Sequence, residues 1–320
     1  MQMGADWLKR SATGDVFSRF HAEAGIAAEH CFAPSFEHTR WKEIADLYAM
    51  LERIGCVSAA LLPHPLARVA GLAFVSIGVH AFYVAPWRAG SRVLDVACGA
   101  GYPALAAARE VQPGGRVVAT DLSRQMLDVA AERARAEGLR HLEFVERDGE
   151  DLQFHNDSFD AVTNAYGLMF CPEPLRAIAE ARQVLVPGGG IALVTWDLPA
   201  HSPFFSAFLD VDAGFFTLRD PGPDEPNPFR LASADVLRLM LDQSGFSSID
   251  IGRLPMTFEC DSAFDYCRIF MDYGWQSRIA ALLPEERDCF YEAVAEATRP
   301  YAADGRLRLA ASSLCACARK

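Results

Sequence analysis

A chain of 320 residues is long for one domain and short for two large ones, and its 51% apolar and 22% charged residues exclude a disordered or fibrous protein. With 42 acidic against 30 basic side chains the net charge is −12, and an acidic surface repels phosphate backbones, which argues against DNA or RNA as a partner. Met1 to Gly14 has no apolar run after its basic residues, so no secretory leader is expected; the nine cysteines follow no regular framework, and Cys315 and Cys317 lack a second pair at zinc-ligand spacing, which predicts reduced thiols in a cytoplasmic protein and no metal site.

Residues 1 to about 88 read as helical. Trp41 to Ile54 places Ile44, Leu47, Tyr48, Leu51 and Ile54 on one helical face. Val69 to Trp87 carries no formal charge and is long enough to span a bilayer, but Gly71, Ser76, Gly78, His80 and Pro86 interrupt it. A buried helix, or two joined by a turn, is the preferred reading over a membrane span. From Ser91 strands and helices alternate, the pattern of a parallel sheet with crossover helices. The strands are expected at Arg92–Ala97, Arg116–Thr120, Leu142–Glu146, Phe159–Asn164 and Ile191–Trp196, the last preceded by a turn at Pro187–Gly190. The helices are expected at Ala104–Glu110, from Ser123 as its cap to about Glu137, and at Pro174–Leu185. Past Trp196, Pro221 to Pro228 predicts an irregular loop, Ser233–Gln243 and Pro284–Thr298 predict helices, Ile249–Leu254 a sixth strand and Leu307–Arg319 a final one.

The chemistry concentrates in Val93-Leu94-Asp95-Val96-Ala97-Cys98-Gly99-Ala100-Gly101, an apolar strand that delivers a glycine loop opening a helix. Glycines let the backbone approach a ligand, and the helix start offers unpaired N–H groups. The segment is ambiguous by itself. Gly99, Gly101 and Ala104 also satisfy G-x-G-x-x-A, and Asp121 stands where a ribose-binding acid of a nicotinamide-dependent oxidoreductase would. Asp95 separates the readings: a carboxylate beside the loop repels a pyrophosphate and attracts an ammonium such as the amino-acid end of S-adenosylmethionine (SAM). The competing role for Asp95 is to hold the loop by accepting backbone N–H bonds.

Four pieces extend the pattern: VLDVACGAGYPALAAA (Val93 to Ala108), GGRVVATDLSRQMLDVAAERA (Gly114 to Ala134), ERDGEDLQFHNDSFDAVTNAYGLMF (Glu146 to Phe170) and the Val184–Gly189 turn. In order and spacing they resemble the class I SAM-dependent methyltransferases, in particular the branch of the ubiquinone and menaquinone biosynthesis enzymes. The resemblance implies an α/β, Rossmann-like fold with a seven-stranded, mostly parallel sheet, SAM as methyl donor and S-adenosylhomocysteine as product. By position it implies that Asp95, Gly99 and Gly101 surround the methionine part and that Asp121 accepts from both ribose hydroxyls with Leu122 on the adenine. Asp148 would take the adenine amine, Gly149 would offer its N–H to the ring, and Asn164 would lie near the sulfonium with Tyr166 facing the substrate. Cys98 is a compact loop residue. The expected domains are a helical N-terminal cap over 1–88, longer than such relatives usually carry, and a methyltransferase domain over 89–320 with lid segments at about 198–232 and 258–304. The cap covers SAM or forms a homodimer face.

His201, Tyr166 and His155 are the candidate bases for an acceptor that holds a proton. Asn164-Ala165-Tyr166-Gly167 lacks the two prolines of enzymes that methylate nucleobase amines or glutamine amides. Ten phenylalanines fall between Leu198 and Trp275, among them Phe204, Phe205, Phe208, Phe215, Phe216 and Phe270. An aromatic-rich lid suits O- or C-methylation of an apolar or aromatic small molecule, such as a secondary metabolite or quinone-like ring. A SAM-binding protein without turnover is the alternative within the same fold.

Overall fold

A computed structural model describes residues 87–217, 227–271 and 275–320. The helical N-terminal cap with its possible dimer face, the apolar segment 69–86 and most of the 221–228 loop lie outside the described residues. In chain order the elements are β1 (Arg92–Val96), α1 (Ala104–Glu110), β2 (Arg116–Asp121), α2 (Arg124–Ala136), β3 (Leu142–Glu146), β4 (Phe159–Ala165), α3 (Pro174–Val184) and β5 (Leu185–Trp196). They continue with α4 (Pro203–Phe215), α5 (Ala234–Gln243), β6 (Ser247–Cys260), α6 (Ala263–Phe270), α7 (Gln276–Ala281), α8 (Pro284–Thr298), β7 (Ala302–Ala303) and β8 (Arg306–Arg319). No helix among the described residues is long and apolar enough to cross a membrane.

The sheet runs β3-β2-β1-β4-β5-β8-β6, with β7 paired to β8 off this path, so it holds eight strands where seven are expected from sequence. The extra strand is two residues long, too short to carry a periodicity. Strands β1 to β5 pair in parallel and β8 returns antiparallel to β5. Crossover helices can cover both faces of a parallel sheet, and β1 is buried over Val93–Val96, a continuous apolar run interrupted only by Asp95. Ser123 caps α2 by accepting the Met126 N–H at 3.3 Å. The glycine turn before the fifth strand is drawn into β5: Phe159 pairs with Leu185 and Ala161 with Gly190, so the residues between bulge out, with Gly188 at φ +79°. The chain end secures this bulge, Gly188 N–H donating to the Lys320 carbonyl at 3.1 Å and Lys320 N–H to that of Gly189 at 2.9 Å.

The chain divides into two compact units. The sheet-bearing unit includes 87–203, 227–256 and 310–320; the other includes 204–217 and 257–309. In the second of these, Phe208 stacks on Phe270 and Phe204 on Phe258, each pair with centroids 3.9 Å apart. Tyr266 donates its hydroxyl to the Phe204 carbonyl at 2.6 Å. Phe204, Phe208, Tyr266, Phe270 and Phe290 are all at most 2% exposed. Phe204, Phe208 and Phe270, counted in the aromatic-rich lid from sequence, form with Tyr266 and Phe290 that unit's own core, because they bury their faces against one another.

Candidate functional site

The chain lays down β1, β2 and β3 outward in one direction, then returns to place β4 on the other side of β1. Where strand order reverses, the connections after the two central strands diverge and leave a crevice at their C-terminal ends. The loop after β1 opens there. Ala97, Gly99 and Gly101 adopt φ of +57°, +51° and +106°. A Cβ built on Gly99 meets nothing within 4 Å, so this stretch of backbone is open to a ligand, whereas one on Gly101 would stand 3.0 Å from Leu105 Cδ1 and 3.1 Å from Ala130 Cβ. Ala97 is a left-handed residue that sequence reasoning missed, since only the observed backbone reveals the strain.

Asp95 is fully buried. Its Oδ2 accepts the Ala104 N–H at 2.9 Å and its Oδ1 the Thr163 hydroxyl at 2.8 Å, stitching β1 to the start of α1 and to β4. Burial pushes its carboxyl up to about 7, against the lowering effect of those two bonds. Of the two roles open to Asp95 from sequence, these contacts are those of a loop holder, with one bond on each carboxylate oxygen.

Asp121, at the end of β2, accepts the Gly99 N–H at 2.8 Å through Oδ2 and the Ser123 N–H at 2.9 Å through Oδ1. Burial raises its carboxyl above the ordinary value although these N–H groups oppose it. Leu122 beside it is 53% exposed. Asp148, after β3, is exposed and accepts the Glu150 N–H at 2.9 Å. A Cβ on Gly149 would lie 3.1 Å from Val96 Cγ1, which places this loop against the end of β1. The fold therefore gathers Asp95, Gly99, Gly101, Asp121, Leu122, Asp148 and Gly149 on three adjacent strand ends. A glycine loop with open space at Gly99, a carboxylate at the neighbouring strand and an exposed aliphatic side chain are chemically suited to an amino-acid tail, a ribose and an adenine in that order.

Two expected contacts fare differently. Asn164 is buried and its Oδ1 accepts the Gly167 N–H at 3.1 Å and the Leu168 N–H at 2.8 Å, capping the 3₁₀ turn Leu168–Phe170. Tyr166, at φ +59°, packs on Trp196 with centroids 4.5 Å apart and shares a 2.7 Å hydrogen bond with the Ser313 hydroxyl. At 8% exposure, its hydroxyl is committed to the core rather than turned to a substrate. His155 lies ahead of β4, at the opposite end of the parallel strands from the crevice.

His201 remains at the right end, on the 3₁₀ turn Pro199–His201 just after β5. Its Nδ1 lies 3.0 Å from Asp197 Oδ1. Asp197 also accepts the Leu198 N–H at 2.8 Å, Arg253 Nε at 2.8 Å and the Ser312 hydroxyl at 2.9 Å. Burial acts to raise its carboxyl, but the bonds from His201, Leu198, Arg253 and Ser312 outweigh it and hold it below the usual carboxylate range. Asp197, Arg253 and Ser312 escaped the sequence reading; an aspartate four residues before a histidine just past a strand end was their one local signal.

A family model described as a methyltransferase domain matches residues 93–189. The chain is 43% identical over 111 residues to a demethylmenaquinone methyltransferase of Clavibacter sepedonicus, covering 35% of this chain and 43% of that one. It is 30% identical over 175 residues to a demethylmenaquinone methyltransferase of Listeria monocytogenes, covering 50% of this chain and 71% of that one. Among solved structures it is similar to a Bacillus halodurans protein assigned as a methyltransferase, at 25% identity and TM-score 0.53, covering 77% of this chain and 99% of that one. The YcgJ protein of Bacillus subtilis shares the fold at 20% identity and the same TM-score, over 77% of this chain and 98% of that one.

Proposed function

The chain belongs to the class I SAM-dependent methyltransferases of the quinone-biosynthesis type, and from that premise we propose that it methylates an oxygen or carbon of an apolar or aromatic small molecule. The observation that carries the reading is the open, left-handed loop at Gly99 in the crevice between β1 and β4, with Asp121 on the adjoining strand already holding the Gly99 N–H. Bound SAM supplies a methyl group on a positively charged sulfur, already activated for in-line displacement. The protein's work is to align the acceptor and exclude water.

In this reading Gly99 and Gly101 wrap the methionine part and Asp121 receives the ribose hydroxyls on the lone pairs its backbone partners leave. Leu122 packs on the adenine, and Asp148 and Gly149 meet its polar edge. Asp95 keeps the loop in shape, and Asn164 shapes the turn beside the methyl group. An acceptor of this class is consistent with the net charge of −12, which disfavours a nucleic acid, and with a post-β4 segment lacking the prolines of base-methylating enzymes. Incubation with labelled SAM and separate pools of aromatic small molecules and tRNA tests it. Label in a ring-bearing small molecule is expected, and label in tRNA alone overturns it.

A further inference from the structure

We propose that His201 and Asp197 form a general-base pair that takes the proton of an acceptor hydroxyl in an O-methylation; this rests on the methyltransferase reading above. A deprotonated carboxylate only accepts, so the 3.0 Å contact with Asp197 places a proton on Nδ1, and in the neutral ring the free lone pair is then on Nε2. An ordinary surface histidine has no such orienter. Here the ring side chain is 42% exposed while its carboxylate partner is 1% exposed and gripped from the Leu198 backbone, β6 and β8 as well. Arg253 and Ser312 donate to Oδ2, and Oδ1 meets His201 while accepting the Leu198 N–H.

The position suits the role. β5 is two strands from β1 across β4, so its end lies about 10 Å from the end of β1 at the usual strand spacing. That interval accepts one aromatic ring between a methyl donor in the crevice and a base on β5. Among the described residues there are three histidines. His141 and His155 both precede the strands they lead into, at the other end of the sheet, and His141 is turned to the Ala108 carbonyl. Tyr166 is committed to Ser313.

The step balances without any further reactant. Nε2 takes the hydroxyl proton as an oxygen lone pair forms the bond to the methyl carbon. The carbon–sulfur bond breaks and its electron pair stays on sulfur, giving S-adenosylhomocysteine, a methyl ether and an imidazolium. Asp197 balances that imidazolium until the exposed ring passes the proton to water. The same proton removal would also activate a conjugated ring carbon, so the position of the methyl group in the product distinguishes the proposed oxygen transfer from a carbon one.

The test combines turnover, binding and nitrogen NMR on the full chain, with phenols and hydroxynaphthalenes as acceptors. His201→Gln is expected to bind SAM within about twofold of wild type by calorimetry while kcat falls about 10²- to 10⁴-fold. Asp197→Asn is expected to lower kcat with little change in KM and to move the ¹⁵N signals of His201 away from the Nδ1–H tautomer. The wild-type tautomer can be read without any variant, so a misfolded Asp197→Asn protein does not void the test. An Nε2–H tautomer in wild type, undiminished turnover in His201→Gln, or product carrying the methyl group on carbon would each overturn the pair while leaving the methyltransferase reading intact. Failure of wild type to bind SAM would overturn both.

Discussion

The carboxylate of Asp95 lies where a charge is least at home, enclosed and, among the described residues, answered by one backbone N–H and one hydroxyl. Its carboxyl is displaced from 3.8 to about 7, chiefly by burial. For an acid whose folded value lies above its unfolded one, the associated stability is complete below about pH 4 and is lost as pH rises through about 7. Asp95→Asn should therefore match wild type near pH 4 and exceed it at pH 8 by a few kcal/mol in urea unfolding without ligand. Asp95→Ala instead strands the buried Ala104 N–H and should cost about 1–3 kcal/mol at acid pH, where neither protein carries the charge. SAM affinity separates the two roles of this residue. If it holds the loop, the asparagine binds SAM within about tenfold of wild type and the alanine far more weakly (a tenfold loss being about 1.4 kcal/mol). An asparagine variant as weak as the alanine would restore the ammonium contact as the dominant effect.

At the scale of elements, what a helix carries matters more than its propensity. α4 brings Phe204 and Phe208 to meet Tyr266 and Phe270 from α6 and Phe290 from α8. Ser262 starts α6 by accepting the Asp265 N–H at 3.0 Å. Phe208→Ala removes a fully buried ring stacked at 3.9 Å and should cost about 3–5 kcal/mol. Ser262→Ala should cost about 1 kcal/mol. Chemical denaturation of both variants measures the contrast; equal losses would mean that the rings do not form the energetic centre of this unit.

For the whole molecule, a ligand that binds only the folded state stabilises it by mass action. S-adenosylhomocysteine at 100 times its Kd should add about 2.7 kcal/mol and raise the melting temperature, while NAD at the same concentration should leave it unchanged. A rise with NAD alone would return the glycine loop to the oxidoreductase reading.

Much of the framework was legible in sequence because its causes are local. The apolar run into a glycine loop, the serine before α2 and the proline opening α8 each act within a few residues, and Ala104–Glu110, Leu142–Glu146 and Pro284–Thr298 form as their patterns predict. Family resemblance in the same stretch named the cofactor. Side-chain roles were not legible, because an aspartate, an asparagine or a tyrosine at a strand end is equally suited to a ligand or to its own fold. Folding decided these by bringing distant partners together: Thr163 to Asp95, Ser313 to Tyr166, and Arg253 and Ser312, 56 and 115 positions along the chain, to Asp197. Strand order follows the same logic. That β8 runs antiparallel beside β5, ahead of β6, depends on pairing between segments with no local signal for one another. Sequence alone therefore determined the nucleotide-type loop and its sheet, and tertiary structure decided which polar groups are consumed by the fold and which are left for chemistry.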